Sequence, residues 1–261
     1  MHIFPVIVTN ARRLEFFQNL FDDLDDAIYH IEDCSYSCVY PYIFVNNSED
    51  IRDDIKKYIK TNYIKDTTVV LGTGSNIGIA SGLQHCINQI KIDHPDTHGD
   101  SLFLKLDDDV KIYDTANFFA RACFIHKMIP NAVFSPFPVG LINNLGGPRG
   151  HRHAVLKGKD LRDIITVRYV NHVGGMCRFS PFNIFEKFSY TQDFISGASG
   201  NEDGQFSEYC FRNGIPMVYA ENGFVVEHYL STLGQIAYDK EYFSDRSFES
   251  SVNVEIINHE S

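Results

Sequence analysis

The run Leu104-Lys105-Leu106-Asp107-Asp108-Asp109-Val110 sets three carboxylates at the end of an apolar stretch. Like charges this close repel and raise one another's pKa values unless a cation neutralises them. Asp107 and Asp109, one residue apart, can both face a hard divalent ion, which takes oxygen ligands and often keeps substrate phosphates in its shell. A solvated acidic turn is the plain alternative. His228, in Val225-Val226-Glu227-His228 at the end of a predicted strand, is a candidate third ligand. An imidazole beside two carboxylates suits Mn²⁺ somewhat better than Mg²⁺. Taken alone, His228 reads as a surface or packing histidine.

Two further groups of residues can do chemistry. Asn201-Glu202-Asp203 opens a predicted helix. Acids there are favoured by the helix dipole, so capping explains them without a function. The functional reading makes one carboxylate a general base that takes a proton from an attacking hydroxyl. Gly72-Thr-Gly-Ser-Asn-Ile-Gly-Ile-Ala-Ser-Gly82 lies between a predicted strand and a predicted helix. Its glycines allow close backbone approach to a ligand, or simply make the turn. It has no Gly-Lys-Ser/Thr, which argues against a P-loop ATPase.

The elements that must position these residues follow from periodicity. Short apolar runs predict strands at 2–9, 38–45, 67–71 and 101–106. Between them, helical spacing predicts helices from Asn10 to Leu24, Ser48 to Thr61 and Ile77 to Ile92, with Asn10 and Ser48 as N-caps. Pro41 predicts that the second strand lies at an edge or starts late. This alternation argues for an α/β fold with a mostly parallel sheet flanked by helices. Ligands bind such sheets beyond the carboxyl ends of strands, where both the glycine-rich turn and the acids fall.

The second half is less regular. Residues 134–152 read as a long loop. Strands are predicted at 164–173, 217–220 and 223–226, and a helix at 201–213, closed by Gly214. The tail from Tyr238 is polar and weakly patterned. The expected organisation is one domain over residues 1–235, with a nucleotide-binding half (1–110) and an acceptor half (111–235), followed by a tail (236–261).

With a net charge of −11, the 261-residue chain is poorly suited to coating a nucleic acid, which needs clustered Lys and Arg. The six cysteines show neither a C-x-x-C pair nor zinc spacing, and read as buried thiols of a reducing compartment. Neither a secretory leader nor a membrane span is evident, so a cytoplasmic location without integral membrane association is expected.

The order of these features resembles glycosyltransferase family 2, with its GT-A fold, from about Pro5 to His228. Val6-Ile-Val-Thr-Asn10 is similar to the family's opening strand. Val45-Asn46-Asn47-Ser48-Glu49-Asp50 resembles its second-strand motif, Val-Asp-x-x-Ser-x-Asp, with Asn replacing the usual base-contacting Asp. Asn76-Ile-Gly78 resembles its Asn-x-Gly helix start, and Leu106-Asp-Asp-Asp109 its D-x-D motif. Asn201-Glu-Asp203, with Arg212 and Gly214 downstream, resembles its Glu-Asp segment.

The resemblance implies a metal-dependent, inverting transfer of a sugar from a nucleotide sugar, with UDP as the default donor nucleotide. Asp109 would ligate Mn²⁺ (or Mg²⁺), and Asp107 the ribose or the metal. His228 would complete the metal site. Asp203, with Glu202 as the alternative, would be the base. Thr9, Asn46, Asn47, Asn76, Asp107 and Asp108 would line the nucleotide-sugar site, with Gly174 and Gly175 beside the transferred sugar.

One segment, from Pro148 to Arg162, is basic. Its Arg149, Arg152 and Lys157 read as a solvated or diphosphate-binding loop, or as an acceptor site for a polyanion. A glycan acceptor ranks first. A modified base in DNA, which would have to be flipped out of a duplex, ranks second. A nucleotidyltransferase and a non-catalytic nucleotide-sugar or metal-binding module are the readings of other classes.

Overall fold

The computed structural model describes residues 1–11, 14–33, 38–63, 67–96, 99–139, 152–158, 164–191, 202–228 and 253–258. The expected alternation is present in the first half. In chain order it runs β1 (His2–Thr9), α1 (Leu14–Asp33), β2 (Cys38–Val39), β3 (Tyr42–Val45), α2 (Glu49–Asn62), β4 (Val69–Leu71), α3 (Ile79–Asp93) and β5 (Ser101–Leu106). Strands β5, β1, β3 and β4 lie side by side and parallel. Pro41, which has no N–H to donate, separates β2 from β3, so the strand does start late. It is not an edge strand, because β3 sits between β1 and β4.

After β5 come β6 (Val110–Ile112), α4 (Thr115–Met128), β7 (Val133–Ser135), β8 (Phe137–Val139), β9 (Arg152–Lys157), β10 (Ile164–Tyr169) and β11 (Cys177–Pro181). A 3₁₀ turn at Phe182–Glu186 leads on to α5 (Glu202–Arg212), β12 (Met217–Ala220), β13 (Val225–His228) and β14 (Asn253–Asn258). The main sheet has the order β14-β9-β10-β12-β7-β11-β5-β1-β3-β4, with β2 beside β1. Strands β6, β13 and β8 form a small second sheet. The fold is thus mixed α/β, with a mostly parallel central sheet flanked by helices.

The structure corrects several expectations. Residues 133–139, expected mostly as loop, hold β7 and β8, and Pro136 marks the step from the main sheet to the small one. Phe134 of β7 stacks on Phe179 of β11 at 5.0 Å and 7°, a pairing that a loop could not hold in place. Arg152–Lys157, expected within a basic loop, is strand β9. Part of the expected tail is strand β14, parallel to β9. The helix predicted at 201–213 is found as α5 and is closed by Gly214 at φ +65°.

Each face of the sheet carries its own core. On one, Phe17, Leu20 and Leu24 of α1 and Phe118 and Ala122 of α4 pack on Ile3, Ile7, Leu104 and Phe179. On the other, Leu83, Cys86 and Ile90 of α3 and Phe206 of α5 pack on Phe4, Val6, Phe103 and Tyr219. Helix α5 is therefore held against the sheet through Phe206, which fixes where its first turn points.

Candidate active site

The site forms where β5 ends. Antiparallel pairing of β13 with β6 sets His228 opposite Val110, one residue past Asp109. His228 Nε2 consequently lies 3.2 Å from Asp109 Oδ1, and Asp109 is only 3% exposed. Asp107, Asp109 and His228 each offer a ligand atom, and all three atoms lie within 4.8 Å of one another. Two carboxylate oxygens and an imidazole nitrogen are a donor set that fits a divalent cation, Mn²⁺ in particular.

Asp108 points elsewhere. Thr9 Oγ1, at the end of β1, donates to Asp108 Oδ2 at 2.7 Å and accepts from the Ala11 N–H at 3.0 Å. Thr9 is 1% exposed, so this bond ties two strand ends together below the site. Hydrogen bonds to charged groups contribute roughly 1.5–3 kcal/mol. Thr9→Val keeps the side-chain shape and removes the hydroxyl, and should cost about that much in urea unfolding. An unchanged midpoint would show that the tie contributes nothing.

On the other side of Asp107 stands an ion cluster that the sequence reading missed. Lys105, 2% exposed, places its Nζ 3.0 Å from Asp107 Oδ1, 3.4 Å from Glu202 Oε1 and 3.4 Å from Asp203 Oδ1. Burial alone would push this ammonium's pKa down, but Asp107, Asp203 and Glu202 outweigh burial and raise it. Arg178 of β11 is the direct cross-strand partner of Lys105 and is fully buried. Its Nη1 donates to Asp203 Oδ1 at 3.0 Å. Burial disfavours the Asp203 carboxylate, yet Lys105, Arg178, the Gly175 N–H and His172 together hold its pKa below the ordinary value. Asp107 goes the other way: burial, helped by Asp203 and Asp109, raises its pKa against the pull of Lys105.

A signal for these residues was present. Lys105 is the one charged side chain within the apolar run Leu102–Leu106, and Arg178 is similarly placed between Cys177 and Phe179. What periodicity could not show is that β11 pairs with β5 and puts the two cations side by side.

The loop 170–176 covers this cluster. Asp107 N donates to Met176 O at 2.9 Å, and Gly174 N to the Tyr219 hydroxyl at 2.7 Å. Gly175 N donates to Asp203 Oδ2 at 2.7 Å. A side chain at Gly175 has no room, because its Cβ would fall 2.0 Å from Asp203 Oδ1 and 2.2 Å from Lys105 Nζ.

The asparagines of the expected nucleotide side tie the end of β3 to the turn after β4 and to the end of β1. Asn46, 5% exposed, donates through Nδ2 to Asn76 Oδ1 at 2.8 Å and accepts from the Ile77 N–H at 2.7 Å. Asn76 Oδ1 also accepts from Gly78 N at 3.0 Å. An Asp at position 46 could not donate to Asn76, which gives a structural reason for Asn here. Asn47 Nδ2 donates to Asn10 O at 2.8 Å, and its Oδ1 accepts from Ser48 N at 2.8 Å. Ser48 holds the cap position of α2 without a side-chain cap bond.

Of the basic residues, Arg152 and Lys157 lie away from the site. Strand β9 lies five strands from β5, about 20–25 Å across a sheet at ordinary strand spacing. Arg152 there pairs with Glu255 of β14 and lies over the Tyr169 ring at 4.6 Å, and Lys157 sits at the far end of the same strand. Arg149 and Asn201 lie outside the described residues.

No protein-family model matches the sequence, nor does any curated protein sequence. Solved structures share its fold. GalNAc-T7 with UDP, GalNAc and Mn²⁺ superposes with a TM-score of 0.58 and 12% identity, over 87% of this chain and 43% of that one. The mannosyltransferase PcManGT from Pyrobaculum calidifontis, in complex with GDP-Man and Mn²⁺, gives 0.55 and 9% identity, over 96% of this chain and 65% of that one. This chain therefore spans less than two thirds of either protein's length. At such identities the likeness concerns the fold: the chain has a GT-A-like fold, related to that of nucleotide-sugar glycosyltransferases. Among the described residues, no helix is long and apolar enough to cross a membrane.

Proposed function

We propose that this protein is a metal-dependent, inverting glycosyltransferase that moves a sugar from a nucleoside-diphosphate sugar to an acceptor hydroxyl. The carrying observation is the convergence of Asp107, Asp109 and His228 at the end of β5, on a GT-A-like sheet. A divalent cation, Mn²⁺ before Mg²⁺, would be held by those three residues and would supply neutralisation of the charge that grows on the departing diphosphate. The residues of the chain do the rest. Asp203, 26% exposed at its side chain, accepts the proton of the acceptor hydroxyl. The acceptor oxygen then bonds to the anomeric carbon from the opposite face, and the carbon–oxygen bond to the diphosphate breaks with its electron pair. Glu202, at 6%, is screened from an acceptor and serves as a counter-charge to Lys105.

Formal charge supports the same reading. Lys105 and Arg178 face three carboxylates (Asp107, Glu202 and Asp203), and Asp109 beside them brings the site to four carboxylates against two cations, which leaves two negative charges for a divalent cation to neutralise. We place Thr9, Asn46, Asn47, Asn76 and Asp108 on the nucleotide side of the site, and Gly174 and Gly175 beside the transferred sugar. UDP is the proposed donor nucleotide. A glycan acceptor is favoured, because a chain of net charge −11 repels a polyphosphate backbone.

A donor screen with Mn²⁺, read by thermal shift and followed by product analysis, tests this. Release of a nucleoside diphosphate is the expected product. Pyrophosphate would mean nucleotidyl transfer, and no release with any donor would mean a binding module. With a working donor, Asp203→Asn should leave donor affinity largely intact and lower kcat by about 10²- to 10⁴-fold. Near-normal kcat would remove Asp203 from the role of base.

A further inference from the structure

We infer that Arg178 is the positioning residue that aims Asp203: its guanidinium holds one carboxylate oxygen and leaves the other to meet the acceptor. The inference rests on the reading of Asp203 as the base, and takes that reading down to individual oxygens. Asp203 Oδ1 lies 3.0 Å from Arg178 Nη1 and 3.4 Å from Lys105 Nζ. Oδ1 thus faces both cations, through a hydrogen bond from Arg178 and an ion pair with Lys105. Among the described residues, Oδ2 accepts one bond, from the Gly175 N–H at 2.7 Å. Its remaining lone pair is the one that can take a proton.

Arg178 suits this task better than Lys105. Lys105 divides its ammonium among three carboxylates, whereas the planar fork of an arginine is pre-organised. The fork is fixed on three sides. Nη2 donates to the Tyr190 hydroxyl at 2.6 Å, and the guanidinium carbon sits 4.1 Å from the centre of the Phe206 ring. Phe206 lies three residues beyond Asp203 on α5, so ring and carboxylate share a helix face and meet the same guanidinium. Among the described residues, the groups facing Asp203 are Lys105 of β5, Arg178 of β11, and His172 and the Gly175 N–H of the covering loop. Glu202, Asp107, Tyr190 and Tyr219 are further charged and titratable groups around it.

The sign of the pH effect follows. A base must be unprotonated to work, so activity is lost as pH falls through its pKa. Cations beside Asp203 keep that acid limb low, and removing one moves it to higher pH.

The test compares Arg178→Met, Arg178→Lys and Tyr190→Phe with the wild type, measuring donor KM, kcat and the kcat–pH profile, and checking folding by circular dichroism. Arg178→Met is expected to lose about 10²-fold in kcat, the usual penalty for an ångström of misplacement, with donor KM little changed. Its acid limb should move up in pH. Arg178→Lys should return the limb towards the wild-type position without restoring kcat. Tyr190→Phe, which only loosens the fork, should lower kcat at unchanged donor KM, and decides the matter if Arg178→Met does not fold. Profiles that overlay the wild type in the folded variants overturn the inference. Carboxyl-¹³C aspartate titration reads Asp203 independently of turnover. If the wild type transfers no sugar, the base reading fails. An upward shift of the Asp203 midpoint in a folded Arg178 variant would still support the hold on that carboxylate, and an unmoved midpoint would refute it.

Discussion

Asp109→Asn should abolish turnover and metal dependence together. The substitution keeps the side-chain shape, so no cavity opens at a position that is 3% exposed. It removes one negative oxygen from a site whose other proposed ligands are Asp107 and His228. Neutralising charge on a departing diphosphate is worth several kcal/mol, so the loss in kcat should reach about 10³-fold or more. Free Mn²⁺, followed by its electron paramagnetic resonance signal, should fall when wild-type protein is added and stay constant with the variant. The fold should survive, because the change relieves repulsion with Asp107 in the metal-free protein. An Asp109→Asn protein that still binds Mn²⁺ and still turns over would move the metal site elsewhere.

Gly175→Ala should be severely damaging. Its Cβ would press on the Asp203 carboxylate and the Lys105 ammonium at once. Neither can move cheaply. Lys105 is held by three carboxylates, and Asp203 by two cations and the Gly175 N–H itself. Breaking a buried ion pair typically costs 3–5 kcal/mol, so a large fall in the urea midpoint is expected. Whatever protein remains folded should lose at least about 10²-fold in kcat, because the proposed base is displaced. Gly99→Ala is the control, since a Cβ there meets nothing within 4 Å. Equal behaviour of the two variants would show that the cluster is loose and that the close packing around Gly175 is unimportant.

Local pattern carried much of this protein. The apolar runs of β1 and β5, the helical spacing of α1 to α3 and the acidic turn after Leu106 could all be read from neighbours in the chain. The start of α5 at Glu202 and its stop at Gly214 were equally local, since a helix-ending glycine needs only its own left-handed backbone. The strands of the second half were harder. β7 and β8 are three residues each, and β14 sits in a polar tail. Such segments have little propensity of their own and become strands because a neighbour supplies the ladder.

By itself, then, the sequence determined the α/β alternation, the strand-end carboxylates and the acids opening α5, because each depends on residues within a turn or a strand of one another. Only the tertiary structure decided which distant groups meet. Register on β6 carries His228 to Asp109. The insertion of β11 beside β5 sets Arg178 against Lys105, so that two buried cations must share carboxylates from α5. Strand order and register are long-range choices, fixed when whole faces are buried together, and no spacing within one segment encodes them.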